Sequence, residues 1–368
     1  MPNSQQLITK LTPLADVFAM LNARTKPVAP RDVAVADAVG CVLAADVTAA
    51  TRPARATALT DGWAVTAADV ADASGYAPVP LATVPARVET GDELPRGADA
   101  VLPPDAVVMR GANAEAVAAV VPGDGVLAPG GDVDGATPLY VAGHRLCAAD
   151  LAVLAAADVS TVSVRAPRIV VAMAREDLRL VPAAQFIARD CAAQGAVAQM
   201  RNGVDIADVL AANDADAVVI VGGTGSGARD NSVTTLARAG RVACHGIGIA
   251  PGETTAVGEA KGRPVLIVPG RLDAALAAWL VVGRHLLGRL AGGTQEAPTA
   301  RARLTRKITS TVGLCDVVPV QQSGGEAEPV GGKVLPLSLL ARATGYVVVP
   351  ADSEGYAAGS DVAVHAWP

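Results

Sequence analysis

The segment VVIVGGTGSGARDN, residues 218–231, runs from an unbroken apolar stretch into a loop with four glycines. Only valine and isoleucine occupy 218–221, which suits a strand buried on both faces. Gly222, Gly223, Gly225 and Gly227 let the backbone approach a ligand closely and aim its N–H groups at an anion. Thr224 and Ser226 add hydroxyl donors. A plain tight turn between strand and helix is the competing reading; the glycines interleaved with hydroxyls favour a ligand. The loop lacks the dinucleotide GxGxxG spacing, and no Gly-Lys-Ser/Thr follows, so it is not a Walker loop either.

The same alternation extends to both sides. Strands are expected at 168–174, 196–200, 216–223 and 264–270, and helices at 182–194, 205–213, 231–239 and 271–291. This predicts a parallel sheet covered on both faces by helices. The longest apolar stretch, Leu272 to Gly283, contains Asp273 and reads as too short to cross a bilayer. Earlier in the chain, 13–24 has helical spacing with Pro13 in the first turn, and Asp32 to Val47 reads as an extended arm. From about 50 to 130, Pro- and Gly-punctuated short strands predict a small β lobe. A helix at 147–158 leads to a strand in VSTVSVRAP. GGTQEAPT after Ala291 reads as a linker, and the short strands of 301–368 as a β-barrel or sandwich.

Two further loops carry chemistry. VPGRLDAAL, 268–276, is again strand, turn and helix: Gly270 allows the turn, and Arg271 either clamps a phosphate or is simply solvated. IAPGETTAVG, 249–258, is a Pro-Gly loop carrying Glu253, Thr254 and Thr255. Asp61, Asp132, Glu176, Asp177, Asp205 and Asp230 fall at strand ends or in loops, where carboxylates hold Mg²⁺ or cap turns and helices.

Composition narrows the classes. Apolar residues are 51% and charged residues 18%, which argues for folded cores rather than disorder. Aromatics at 2% and a net charge of −6 argue against nucleic-acid stacking and against an anionic membrane as partner. Five dispersed cysteines without CxxC suggest neither a disulfide framework nor a zinc site, and four scattered histidines form no metal motif. MPNSQQLITKLTPL lacks a signal-peptide core, so a cytoplasmic protein is expected.

Seven segments, in order, resemble the molybdopterin molybdenumtransferase family (MoeA-type proteins and the gephyrin E domain). TDGWAV (60–65) resembles M-D-G-Y-A, and ETGDELPRGADAV (89–101) resembles T-G-x-x-x-P-x-G-x-D-A-V. PGGDVDGATPLYVAGHRL (129–146) is similar to the segment holding G-E-D-I, and GGTGSGARD (222–230) to G-G-V-S-V-G-x-x-D. IAPGETTAVG resembles I-K-P-G-K-P-x-x-x-G, VPGRLDA resembles L-P-G-N-P-x-S, and SLLARATGYVVVP (338–350) the closing S-L-x-x-A-x-G-x-x-x-L-P.

The resemblance implies an α/β plus β multidomain chain. It comprises a discontinuous elongated linker domain (7–47 and 131–166), a β lobe (48–130), a parallel-sheet molybdopterin-binding α/β domain (167–293) and a C-terminal β-barrel domain (298–368). It implies a homodimer that inserts molybdate into adenylylated molybdopterin with Mg²⁺ and release of AMP, and that serves a molybdoenzyme apoprotein. Carried over by motif, Asp61, Thr90, Asp205 and Asp230 are the expected catalytic residues, and Asp177, Asp205 and Asp230 the metal set. Gly222, Gly223, Thr224, Gly225, Ser226, Gly227, Pro251, Gly252, Glu253, Pro269, Gly270, Arg271 and Ser338 are the expected molybdopterin contacts. Asp132 matches another acidic position.

The departures are specific. MAREDL stands where the family has T-G-D-E-L, so Arg175 replaces a glycine while Glu176 and Asp177 keep the acidity. Ala250 and Glu253 replace two lysines, Arg271 and Leu272 replace the Asn-Pro of P-G-N-P, and Ala58 replaces a serine. Losing two cations beside an anionic substrate motivates an alternative: a catalytically impaired paralogue that binds molybdopterin or a related nucleotide as carrier or accessory protein. A non-enzymatic dimeric scaffold and a generic nucleotide-binding protein are the weaker alternatives.

Overall fold

The strand–helix alternation builds a six-stranded sheet in the computed structural model, which describes residues 6–293, 299–331 and 335–368. Its strands are β1 (Arg168–Met173), β2 (Val197–Arg201), β3 (Ala217–Val221), β4 (Arg241–His245), β5 (Ala256–Ala260) and β6 (Arg263–Val268). The order across the sheet is β2-β1-β3-β6-β5-β4. The first four are parallel, whereas β5 runs antiparallel to β6 and to β4. The sheet is therefore mixed, and the all-parallel expectation needs correction. The sequence hid this edge because RVACH and AVGEA carry few β-branched residues and lack the unbroken apolar run of the central strands. Gly258 also breaks the β-branched pattern: a Cβ there would meet the Arg241 carbonyl oxygen at 2.3 Å.

Four helices cover the sheet: α1 (Val181–Ala193), α2 (Ile206–Ala211), α3 (Ser232–Ala239) and α4 (Leu272–Ala291). The period-2 alternation of the strands sends alternate residues to two cores. Ile169, Val171, Met173, Val219, Val221, Leu266 and Val268 pack with α1, α4 and the N-terminal helix Leu14–Arg24, for which Pro13 is the cap residue rather than part of the first turn. Val170, Ala172, Val218, Ile220, Val265 and Ile267 pack with Ile206, Val209, Leu210, Val233 and Leu236 of α2 and α3. Each such burial contributes about 1.5–3 kcal/mol before conformational entropy opposes it.

Helix α4 corrects the expectation for the apolar stretch. It continues through a π-helical turn at Trp279–Gly283, so 20 residues run unbroken, long and apolar enough to span a bilayer by length and composition. Its apolar window is 72% buried inside the fold, which accounts for its hydrophobicity without a membrane. Gly283 makes room for Trp279: a Cβ there would sit 2.1 Å from the indole ring.

The C-terminal strands close into a five-stranded barrel. β7 (Thr299–Leu304), β8 (Cys315–Ser323), β9 (Glu326–Pro329), β10 (Gly345–Val349) and β11 (Asp361–Ala366) pair in the ring β8-β9-β7-β11-β10-β8. Ala302, Leu304, Val320, Ala327, Val347, Val349, Val362 and Val364 fill it. Of the barrel-or-sandwich alternatives, the barrel is the one formed. The linker expected in GGTQEAPT falls mainly on 294–298, outside the described residues.

Contacts divide the chain into two units. Met1–Ala45, Ala142–Leu151 and Thr161–Pro368 form the first, which holds the α/β sheet, the barrel and a small sheet of Arg31–Ala34, Thr161–Arg165 and Val42–Leu43. Asp46–Val141 and Ala152–Ser160 form the second. In it, Gly62–Val65 pairs with Ala86–Val88 and Ala100–Leu102, and Asn113–Ala116 pairs with Val79–Leu81 and Val107–Arg110, all antiparallel.

Candidate functional site

A cleft of about 540 Å³ opens at the carboxyl ends of β1, β3 and β6. β2 lies on one side of β1 and β3 on the other, so the chain changes its direction of travel across the sheet at this point. Open α/β sheets bind ligands at such a switch point. Three turns line the cleft: Arg175, Asp177, Arg179 and Leu180 after β1; Gly222–Gly225 and Asp230 after β3; Pro269–Leu272 after β6. Thr254 completes it.

The glycine loop adopts the conformation its sequence demands. Gly222 and Gly223 have φ of 90° and 75°, in the left-handed region where a side chain is strained. A Cβ on Gly223 would also sit 2.2 Å from Ser232 Oγ. Gly222 N–H donates to the Val268 carbonyl at 2.8 Å, and Ser232 Oγ donates to the Gly222 carbonyl at 3.0 Å. Gln6, from the start of the chain, holds the loop from behind. Its Nε2 donates to the carbonyls of Gly223 and Gly225, both at 3.0 Å, and its Oε1 accepts from Thr234 N–H at 2.9 Å.

This pattern refines the expected anion nest. The first-turn N–H groups of Ser232 and Thr234 in α3 bond to the Gly223 carbonyl and to Gln6, so they face the protein. The loop backbone from Gly223 to Gly225 is what borders the cleft. Thr224 is buried, its Oγ1 shares a hydrogen bond of 2.8 Å with Thr254 Oγ1, and its carbonyl accepts from His245 Nε2 at 2.9 Å.

Charge in the cleft comes from three guanidinium groups and two carboxylates. Arg179 grips Asp177 with two hydrogen bonds, Nε to Oδ1 at 2.9 Å and Nη2 to Oδ2 at 2.8 Å. Arg175 Nε donates to Asp177 Oδ2 at 3.2 Å, and its Nη1 lies 3.6 Å from Asp230 Oδ1. The bonds from the Arg179 side chain and N–H, with help from Arg175, hold the Asp177 carboxyl well below the usual carboxylate range. Arg271 is anchored through Nε to the buried Asp273 at 2.6 Å, while its side chain stays 57% exposed at the cleft.

The cleft brings together Asp177, Asp230, Gly222, Gly223, Thr224, Gly225, Pro269, Gly270 and Arg271. Ser226 and Gly227 are exposed on the next turn, where Gly227 N–H donates to Asp230 Oδ2 at 3.2 Å. Pro251, Gly252 and Glu253 sit behind Thr254, and Glu253 Oε2 accepts from Gly252 N–H at 3.0 Å. Glu253 thus closes its own loop and does not line the cleft. Asp205 caps α2, accepting from Ala207 N–H at 2.9 Å, and is not among the cleft residues. Ser338 is exposed on the short helix Leu337–Leu340. Glu176 and Asp132 are exposed. In the second unit, Asp61 Oδ1 accepts from Thr90 N–H at 2.8 Å and Thr90 Oγ1 at 3.0 Å, and these two bonds lower its pKa.

The metal set expected from the resemblance is not assembled. Among the described residues no group of three His, Cys, Asp or Glu stands ready to hold an ion. Asp177 is engaged by two arginines and Asp230 by one. As arranged, the donors do not fit Mg²⁺. The rest of the cleft lining sets the glycine-loop backbone beside the guanidiniums of Arg175, Arg179 and Arg271.

Sequence reasoning missed Gln6, Arg179, His245 and Asp273, while Thr254 comes from the Pro-Gly loop it had singled out. Arg179 and Asp273 were within reach, each two residues from a partner already singled out. Gln6 lies 217 residues from Gly223, and no local pattern signals it.

Fold and cleft together define a multidomain protein whose α/β domain opens a cleft lined by a glycine loop and three arginines. Family models match three consecutive regions: "MoeA N-terminal region (domain I and II)" at 12–157, "Probable molybdopterin binding domain" at 185–289, and "MoeA C-terminal region (domain IV)" at 301–367. The chain belongs to the MoeA-type family. A solved MoeA protein from Pyrococcus horikoshii superposes with a TM-score of 0.78 at 23% identity, covering 97% of this chain and 100% of that one. A molybdenum cofactor biosynthesis protein from Pyrococcus furiosus gives 0.60 at 19%, covering 97% and 100%. A curated relative, the "Putative molybdopterin biosynthesis protein" of Methanocaldococcus jannaschii, is 31% identical over 159 residues. That match covers 42% of this chain and 37% of the relative, so the chain aligns with little over a third of the relative's length.

Proposed function

We propose that this protein acts in molybdenum cofactor biosynthesis, binding adenylylated molybdopterin in the cleft and exchanging AMP for molybdate. The observation that carries the reading is the cleft itself: a glycine loop and a Pro-Gly-Arg turn, at the switch point of a molybdopterin-binding-type domain. Its volume suits one ligand of this size. In this reading Gly223, Thr224 and Gly225 present backbone to the phosphate, and Arg271, held by Asp273, supplies the guanidinium. Arg175 adds a second fixed charge. The stabilisation is electrostatic: water or a molybdate oxygen attacks the pyrophosphate, AMP leaves with the bridging oxygen or the attacked phosphorus, and the fixed charges meet the charge that develops on the phosphoryl oxygens.

Asp61 and Thr90 complete the reaction in this reading. A homodimer brings them to the cleft from a second copy, and the product passes to a molybdoenzyme apoprotein. Mg²⁺ has no assigned place here, because the cleft carboxylates are already paired. The observation favouring the accessory-protein reading is Glu253, an acid bonded into its own loop where a lysine was expected.

The test is an anaerobic incubation of the full chain with adenylylated molybdopterin and molybdate, following AMP release beside a separate binding titration. Molybdate-dependent release of AMP supports the insertase. Tight binding without release supports the accessory protein. A folded sample that does not bind contradicts both.

A further inference from the structure

We infer that Arg175 stands in the place of a divalent cation in this cleft, and that the anionic ligand binds there without one. For the identity of the anion this rests on the proposed function; for the cation it rests on the geometry alone.

A divalent ion such as Mg²⁺ is held by one or two carboxylates, with waters and substrate phosphate oxygens filling the rest of its octahedral shell, so it needs carboxylate oxygens that are open to it. The cleft offers two carboxylates, and all four of their oxygens are engaged. Asp177 Oδ1 accepts from Arg179 N–H at 3.0 Å and Nε at 2.9 Å, and Oδ2 from Arg179 Nη2 at 2.8 Å and Arg175 Nε at 3.2 Å. Asp230 Oδ2 accepts from Gly227 N–H at 3.2 Å, and Oδ1 faces Arg175 Nη1 at 3.6 Å. Arg175 therefore bridges the two acids as a shared cation would. Its charge is permanent, because a guanidinium does not deprotonate in proteins. It comes from the chain itself, at the MAREDL position where the family pattern has glycine. With Arg271 held on the opposite turn by Asp273, the positive charge facing the glycine loop is built in. The ligand class this favours is a phosphate ester or pyrophosphate carrying more than one charge.

The experiment uses the whole chain and two probes. Mn²⁺ alone is titrated by electron paramagnetic resonance, which reads free ion directly. Inorganic pyrophosphate is titrated calorimetrically in EDTA, then with Mn²⁺ added. The expected result is no stoichiometric Mn²⁺ site, together with pyrophosphate binding that survives EDTA. Arg175→Ala should weaken that binding about tenfold or more while keeping its melting temperature, and Arg175→Lys should recover part of it. One Mn²⁺ bound per chain and lost in Asp230→Asn overturns the inference. So does pyrophosphate binding that appears only with Mn²⁺. If pyrophosphate binds under neither condition, the ligand reading of the proposed function fails, while the Mn²⁺ titration still decides whether Arg175 excludes the metal.

Discussion

Asp190 and Asp177 are both held by a bidentate arginine and further N–H donors, one at Asp190 and two at Asp177, in different settings. Asp190, on α1, accepts from Arg284 Nε at 2.9 Å and Nη2 at 2.6 Å, and from the Trp279 indole at 2.7 Å, with 2% of its side chain exposed. Asp177 sits at the cleft, beside an Arg179 that is 79% exposed. The first cluster joins α1 to α4 inside the core, and Arg284 reaches on toward Tyr346 of β10. Water cannot replace any partner there, so the cluster is structural. At the cleft the Asp177 side chain is 12% exposed but its Arg179 partner stands in solvent, so water competes for that pairing. The pairing contributes little to stability, and its charges remain available to a ligand.

Breaking the buried cluster gives the largest effect. Asp190→Ala leaves Arg284 as an unpaired buried charge and should cost about 3–5 kcal/mol in urea unfolding. A loss below about 1 kcal/mol would mean the core cluster behaves like a surface pair, and the contrast would collapse.

Next comes the loop. Gly223→Ala forces a side chain into the left-handed region and against Ser232 Oγ, at a cost of about 1–3 kcal/mol. Its ligand affinity should fall further than its stability implies. Gln6→Ala removes three hydrogen bonds from the loop and α3. Hydrogen exchange should show faster exchange at 222–234, with the rest of the sheet unchanged.

The smallest effect on stability belongs to the cleft acid. Asp177 has a folded pKa below its unfolded value, so its contribution is complete above the unfolded pKa. That contribution is lost as pH falls through the folded value. Asp177→Asn should therefore be less stable than the parent protein at neutral pH, with the deficit closing only as pH falls below the unfolded carboxylate value and through the folded one. An acid limb identical to the parent's would show that the arginine bonds at Asp177 do not persist in solution.

Much of the α/β domain was legible because β1, β3 and β6 are runs rich in Val and Ile, two of them leading into glycine turns. β1, β3 and β6 appear within two residues of their expected ends, and the three turns they feed form the cleft. β4, β5 and β9 were illegible because each is mixed in sequence, and its strand character is evident only in its pairing with a neighbour. Site residues followed the same rule. Glycines and Arg271 announce themselves by local pattern. Gln6 does not, because its role depends on a contact made only after folding. Asp205 carried two readings for a related reason, since a helix cap and a cleft acid look alike in sequence, and the structure shows the cap.

The central claim is that the ligand sits at the ends of β1, β3 and β6. Hydrogen exchange of the full chain with and without adenylylated molybdopterin reads this directly. The account predicts protection concentrated at 222–227 and 269–272, with lesser protection at 175–180. Protection confined to the barrel, or absent from the glycine loop while the ligand is bound, would contradict it.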